Sequence, residues 1–487
     1  MSPVARGALL LLLVLTLSSC LPPRRALLPT LNLPVPELQD FPADFRPPIS
    51  AETGRPMPGF GGAESGETSH SLYRTPVIFI HGNTVSARFW LPAREYFLQD
   101  GYGRDELWAL GYGWDHVHYF DANDLSVQSI DRIVSSVIDY LSRKRGVPVR
   151  QVDIVAHSLG VTVVRQWLLQ TNSYHKVRNF IGVAGANHGT WTSSLYPRGP
   201  QRAVSWELAP GSPWLGQLNR AGEAPGPTRY MTLYDGTGWN DVFFPRPLQD
   251  SSALAGAENL AFNRERGTWF DHLELPLRPE TMDAMLKFLA AAGEPLPQAR
   301  LPRVLRQGDR LLAEPATARL HCAAGGVAPQ RSGPSVAEQT LGVNGPWSCF
   351  ALDPQSGLSS PLVRFARREG YQPGGELRVS AEPAGGVHSQ PQSVRLESSD
   401  PAAFITYSTG GTPPNSGSPL YRPDHPIYIA APLRLQAVAI TPDGRQSQPL
   451  VLDFDISLEK EEAETSLQRQ FDPSAPEQYA GRRKKGR

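Results

Sequence analysis

Ser158 stands in Ala156-His157-Ser158-Leu159-Gly160, with a small residue two positions to either side. The run before it, Val152-Asp153-Ile154-Val155-Ala156, is apolar and β-branched like a buried strand, and residues 159–169 follow with the apolar content of a helix. A serine on so sharp a strand-to-helix turn holds a strained backbone conformation, and bulky residues two positions away would collide across the turn. Placed at the amino end of a helix, its hydroxyl can attack an acyl carbon while nearby amides receive the oxyanion. The Leu159 amide is the first expected donor. The second is the Asn83 amide, in His81-Gly82-Asn83 at the end of an earlier strand, and His81 itself is expected to be structural.

Such a nucleophile needs a base and an acid, here expected in the order serine, acid, histidine. Six histidines follow Ser158: His175, His188, His272, His321, His388 and His425. The last three fall in a β-rich region, and the first two precede any acid on the late strands. His272, in Asp271-His272-Leu273, comes after the last strand and just before the final helix, so it is assigned the base. Eight carboxylates lie between Ser158 and His272, of which only Asp235 and Asp241 directly follow a strand, 230–234. Asp241 is favoured as the acid and Asp235 is second. The chemistry expected is two-step acyl transfer.

These side chains need a scaffold. Residues 75–80 read as a buried parallel strand, 129–143 as an amphipathic helix, 180–184 and 259–262 as further strands, and 279–291 as a helix opened by Pro279. Strands alternating with helices predict a mostly parallel sheet covered on both faces. Beyond residue 293 short alternating runs such as 318–322, 347–352, 362–366, 377–381 and 433–440 predict antiparallel β-sandwich modules.

The chain has 487 residues, with 47 basic and 47 acidic ones and hence zero net charge, so nothing in its composition draws it to nucleic acid. No metal-ligand spacing is present, and no cofactor is expected. Residues 1–20 have one basic residue, Arg6, an apolar run and Leu17-Ser18-Ser19-Cys20, so they read as an export signal too short to span a bilayer. Export leaves Cys322 and Cys349 as the one disulfide pairing.

Three motifs together, Pro76-Val77-Ile78-Phe79-Ile80-His81-Gly82-Asn83, Ala156-His157-Ser158-Leu159-Gly160 and Gly185-Ala186-Asn187-His188-Gly189-Thr190, resemble those of bacterial secreted lipases of the α/β-hydrolase superfamily. The same elbow occurs in some polyhydroxyalkanoate depolymerases. The resemblance covers about residues 75–289 and implies a carboxylic-ester hydrolase, with His188 in a structural motif near the site. The Asp241 loop, an acid followed by apolar residues and Pro245, resembles the acid loop of that superfamily. Leu17-Ser18-Ser19-Cys20 resembles a lipobox, which implies lipidation of Cys20 and a membrane anchor in the bacterial cell envelope. Residues 392–457 resemble the C-terminal sandwich domain of chitobiases, read here as a spacer.

The expected organisation is a signal over 1–20, a Pro- and Gly-rich tether over 21–70, an α/β-hydrolase domain over 71–293, a β-rich domain with the disulfide over 294–390, a sandwich over 391–457 and a disordered charged tail over 458–487. The segment 191–227, with Trp191, Trp206, Trp214, Leu215 and Leu218, is expected either to cap the site or to pack on the sheet edge. The leading function is a lipase or esterase on lipid esters. Its alternatives are a polyester depolymerase and an inactive, hydrolase-fold binding lipoprotein.

Overall fold

The computed structural model describes residues 38–62, 74–83, 85–113, 124–195, 207–263, 271–294, 298–343 and 345–456. Cys20, the signal and the tail lie outside them. The chain forms two compact units, 1–39 and 40–487. Of the first only residues 38 and 39 are described, and the short strand β1 (Gln39–Asp40) opens the regular structure.

In the second unit, β2 (Gly59–Gly61), β3 (Val77–Ile80), β4 (Leu107–Leu110), β5 (Val152–His157), β6 (Val177–Val183), β7 (Arg229–Asp235) and β8 (Glu258–Phe262) lie in the order β2-β4-β3-β5-β6-β7-β8. All neighbours from β4 to β8 are parallel and β2 alone runs antiparallel. The α-helices whose bounds lie among the described residues are α1 (Leu91–Gln99), α2 (Asp124–Arg145), α3 (Leu159–Thr171), α4 (Pro213–Arg220), the short α5 (Asp271–Glu274) and α6 (Pro279–Ala290). This is the α/β-hydrolase architecture. After β3 the chain moves to β4 on one side, and β5 returns on the other, so the loops leaving β3 and β5 part at a topological switch point. The carboxyl ends of those two strands carry Gly82 and Ser158.

Strands β3 to β6 are buried along their whole length, as parallel strands covered on both faces must be. Helix α3 is buried from Leu159 to Gln170, polar residues included. One face meets the sheet, and downstream β domains cover another: the Thr409 amide donates to Gln170 Oε1 (2.9 Å), and Asn172 Nδ2 donates to the Leu362 carbonyl (2.8 Å). The C-terminal region therefore packs directly against the helix that follows the nucleophile candidate, a closer role than the spacer expected for it.

Residues 303–365 form two small antiparallel sheets, and 379–456 form two more. Cys322 on Arg319–Ala323 faces Cys349 on Trp347–Leu352, and the two are joined as the expected disulfide. One pair in the last module departs from the antiparallel expectation: Gly386–His388 runs parallel to Leu450–Ile456.

The expectation of a free tether over 21–70 fails for residues 40–62. Met57 and Phe60 are wholly buried, Phe45 packs on Trp108 with ring centroids 4.9 Å apart, and β2 pairs with β4. Proline and glycine here shape turns that lay a few large apolar side chains onto the sheet, and their abundance concealed those side chains. In the 191–227 segment, Trp206 lies outside the described residues, whereas Trp214, Leu215 and Leu218 on α4 are buried in the main core. Helix α4 therefore packs, whereas Trp191 is half-buried and its indole N–H donates to the Val242 carbonyl, next to Asp241.

Candidate active site

Ser158 sits at the apex between β5 and α3 with φ 55° and ψ −124°, a conformation that L-residues rarely adopt. It is tolerated because both sides are pinned: the Ser158 amide donates to the Val183 carbonyl (2.9 Å) and the Val161 amide to the Ser158 carbonyl (3.0 Å). The glycine two residues on is required, since a Cβ on Gly160 would lie 2.5 Å from the His81 carbonyl oxygen. The β3 loop thus presses directly against the elbow.

His272 bridges to the serine. Its Nε2 lies 2.8 Å from Ser158 Oγ, and its Nδ1 lies 2.8 Å from Asp241 Oδ2. With the carboxylate accepting from Nδ1–H, Nε2 is left as the acceptor for the serine hydroxyl. Asp241 Oδ1 accepts in turn from the Phe243 amide (2.9 Å), and the Phe243 ring lies 4.2 Å from the His272 ring, centroid to centroid. Asp241 and His272 are buried and Ser158 is half-buried, so the chain of hydrogen bonds opens to solvent at the serine end.

Asp235, the second acid weighed from the sequence, does not meet His272. Its carboxylate accepts from the amides of Thr237 (3.2 Å), Gly238 (3.1 Å) and Asn240 (3.2 Å) and from the Thr237 hydroxyl. It folds back the loop that carries Asp241. His272 in turn rides on α5, where the Asp271 amide donates to the Asn240 carbonyl (3.2 Å) and Asp271 pairs with Arg278.

Of the two expected oxyanion donors, Leu159 follows the serine directly, and Asn83 follows Gly82, whose Cα lies against Ser158. The Leu159 amide opens α3, where the helix leaves N–H groups without intrahelical partners. The Tyr112 amide donates to His81 Nε2 (3.3 Å), so His81 Nδ1–H donates to the Gly82 carbonyl (3.0 Å). That bond turns the Gly82 carbonyl toward the His81 ring, and the trans peptide then points the Asn83 N–H away from it. The His81 ring is thus bonded to backbone on both sides and does not meet Ser158 or His272 in the hydrogen-bonded chain.

His188 stands outside the hydrogen-bonded chain. Its Nε2 pairs with Glu223 (2.9 Å), which raises its pKa, and its Nδ1 meets the Ser251 carbonyl (3.2 Å). The neighbouring Asn187 accepts from buried Arg165 of α3 (3.0 Å) and donates to the Ser252 carbonyl (2.8 Å), tying α3 to the loop before β8. His175, His321, His388 and His425 lie elsewhere.

Residues 74–233 match the family model of class 2 lipases. The match includes Ser158 and both oxyanion candidates and ends before Asp241 and His272. Residues 383–451 match the chitobiase/beta-hexosaminidase C-terminal domain. Among solved structures, the mature form of the Bacillus licheniformis lipase BlEst2 aligns at 18% identity over 46% of this chain and 96% of its own, with TM-score 0.34. Its propeptide form aligns at 13% over 80% and 95%, also at 0.34. A propionate-bound thermophilic esterase from Thermogutta terrifontis aligns at 15% over 47% and 87%, at 0.33.

Among the described residues, no group of three or more His, Cys, Asp and Glu side chains is arranged to hold a metal ion.

Proposed function

We propose that this protein is a serine carboxylic-ester hydrolase acting on lipid esters. The observation that carries the reading is the run of two 2.8 Å contacts linking Asp241, His272 and Ser158. The class 2 lipase match over 74–233 agrees with it.

In this reading Ser158 Oγ attacks the ester carbonyl carbon as His272 Nε2 takes its proton. Asp241 holds the imidazole in the Nδ1–H tautomer and stabilises the imidazolium that forms. The amides of Asn83 and Leu159 receive the negative charge on the carbonyl oxygen. His272 then gives its proton to the departing alkoxide, leaving an acyl-Ser158 ester. Water, deprotonated by His272, attacks that ester and releases the carboxylic acid.

The lipobox-like Leu17-Ser18-Ser19-Cys20 further supports export and lipidation at Cys20, which would tether the enzyme in the cell envelope near its substrates. Purified protein should release p-nitrophenol from acyl esters and label with a fluorophosphonate, and Ser158→Ala should abolish both. Retained turnover in that variant would overturn the assignment. Rates on triglyceride emulsions against polyhydroxybutyrate films separate a lipase from a polyester depolymerase.

A further inference from the structure

The residue before the nucleophile, His157, takes no part in the proton path above. Its side chain is 1% exposed, stacks on Phe89 with ring centroids 5.1 Å apart and planes 19° apart, and lies 4.9 Å from the His272 ring. Its Nε2 is 2.8 Å from the backbone carbonyl oxygen of His272. A carbonyl only accepts, so Nε2 carries the proton. His157 Nδ1 is buried with no hydrogen-bond partner among the described residues, and a Cβ built on Gly82 would lie 3.0 Å from it. A second proton, on Nδ1, would be buried with no acceptor among the described residues. The ring is therefore the neutral Nε2–H tautomer, and burial followed by the charge of a protonated His272 pushes its pKa well down.

We propose that His157 is a positioning residue for the base: its Nε2–H clamps the His272 main chain so that the His272 ring spans Asp241 and Ser158. The inference rests on the ester-hydrolase reading. The need for a clamp follows from the local structure. His272 sits on a helix of only four residues, yet its ring must satisfy two contacts of 2.8 Å at once. The Asp271 amide and the Asp271–Arg278 pair hold the residue before it, and His157 holds His272 itself. A shift of about 1 Å at such a centre costs on the order of 10²-fold in rate. A neutral donor also suits the cycle, because a charged one would oppose the imidazolium formed next to it. The titratable groups acting on His157 are His272 and His81.

The test compares His157→Gln, whose terminal amide can reach the same carbonyl, with His157→Met, of similar length and without a donor, both in the full-length protein on p-nitrophenyl butyrate. The Met variant should lose about 10-fold or more in kcat with KM within about twofold. Its acid limb in kcat/KM should move to lower pH, because a looser Asp241–His272 contact stabilises the imidazolium less. The Gln variant should keep kcat within about threefold with the limb unmoved. Undiminished kcat in the Met variant, or equal loss in both with normal circular dichroism, would overturn the clamp. If the Met variant does not fold, nitrogen-15 NMR of the wild-type ring decides: Nε2–H with a slowly exchanging proton supports the clamp, and Nδ1–H or an imidazolium at pH 7 overturns it. Wild-type protein that neither hydrolyses esters nor takes a fluorophosphonate would instead sink the ester-hydrolase reading, while the NMR result still reports on the His157 bond.

Discussion

Gly82 lies so close to Ser158 that a methyl group on its Cα would stand 2.8 Å from Ser158 Cβ, inside any real contact distance. The same methyl would meet His157 Nδ1 and the His157 carbonyl, so it has nowhere to go without moving the loop that carries the Asn83 amide. Gly82→Ala should therefore fold, because the rest of the sheet is untouched, and lose about 10²-fold or more in kcat, the size expected when one oxyanion donor is displaced. Steady-state kinetics with a melting curve on the same sample checks both halves. Wild-type turnover would mean that the β3 loop plays no part in charge stabilisation.

The two candidate acids should respond differently. Asp241→Asn keeps the side-chain shape but can no longer anchor the imidazolium, and kcat should fall about 10⁴-fold with little change in melting temperature. Asp235→Asn removes one charged acceptor from three loop amides and should lower stability by about 1–3 kcal/mol while costing less than 10-fold in kcat. The pair is read by kcat at saturating ester and by denaturant midpoints. The reverse ranking would move the acid to Asp235.

These residues differ in how far the sequence disclosed them. Ser158 and His272 could be chosen from the sequence because a strained turn demands small neighbours and because position along the chain discards the other histidines. The choice between Asp235 and Asp241 could not be closed, since one ends β7 and the other lies in the loop just after it, and only the folded loop reveals that the Asp235 carboxylate is consumed by backbone amides. His157 gave no signal, because its bond to the His272 carbonyl spans 115 positions in the chain. Strand β4, Leu-Trp-Ala-Leu, was missed because it is four residues long and has no β-branched residue. Strand β2 was hidden in a segment whose prolines and glycines look like linker.

The seam between the hydrolase and the β domains should be a measurable part of stability. Asn172 ends α3 in the left-handed region, and its side chain both donates to the Leu362 carbonyl and accepts from the Leu362 amide (3.3 Å). Asn172→Ala removes both bonds to the buried Leu362 backbone and adds left-handed strain, so a loss of about 2–4 kcal/mol is expected. Urea unfolding should report it as an earlier midpoint. Removal of residues 298–456 should expose the outer face of α3 and produce a protein that aggregates or binds a hydrophobic dye, whereas a simple spacer would leave a stable, active hydrolase.

The disulfide should matter locally. Cys322 and Cys349 close a loop of 27 positions between adjacent strands, which in the chain-entropy picture corresponds to about 3.5 kcal/mol. Cys322→Ser with Cys349→Ser should lower the unfolding midpoint accordingly and leave kcat at low temperature within about twofold, because both cysteines lie in a sheet separate from the one that carries Ser158. A parallel fall in kcat would show that the β domain sets the geometry of the site and not only its stability.

Acid sensitivity follows from a histidine that titrates away from the reaction. His175 is pushed down to about 4, first by burial and then by Lys176 beside it, whereas in the unfolded chain it titrates near 6.5. Between those values the unfolded state binds a proton that the folded state does not, so stability is full above about pH 6.5 and falls as the pH drops toward 4. The span corresponds to up to about 3 kcal/mol. Melting temperatures from pH 7.5 to 4 should show the decline, and His175→Gln, which cannot charge, should flatten it. An unchanged slope in that variant would assign the acid sensitivity to other groups, of which neutral, buried His157 is the next to test.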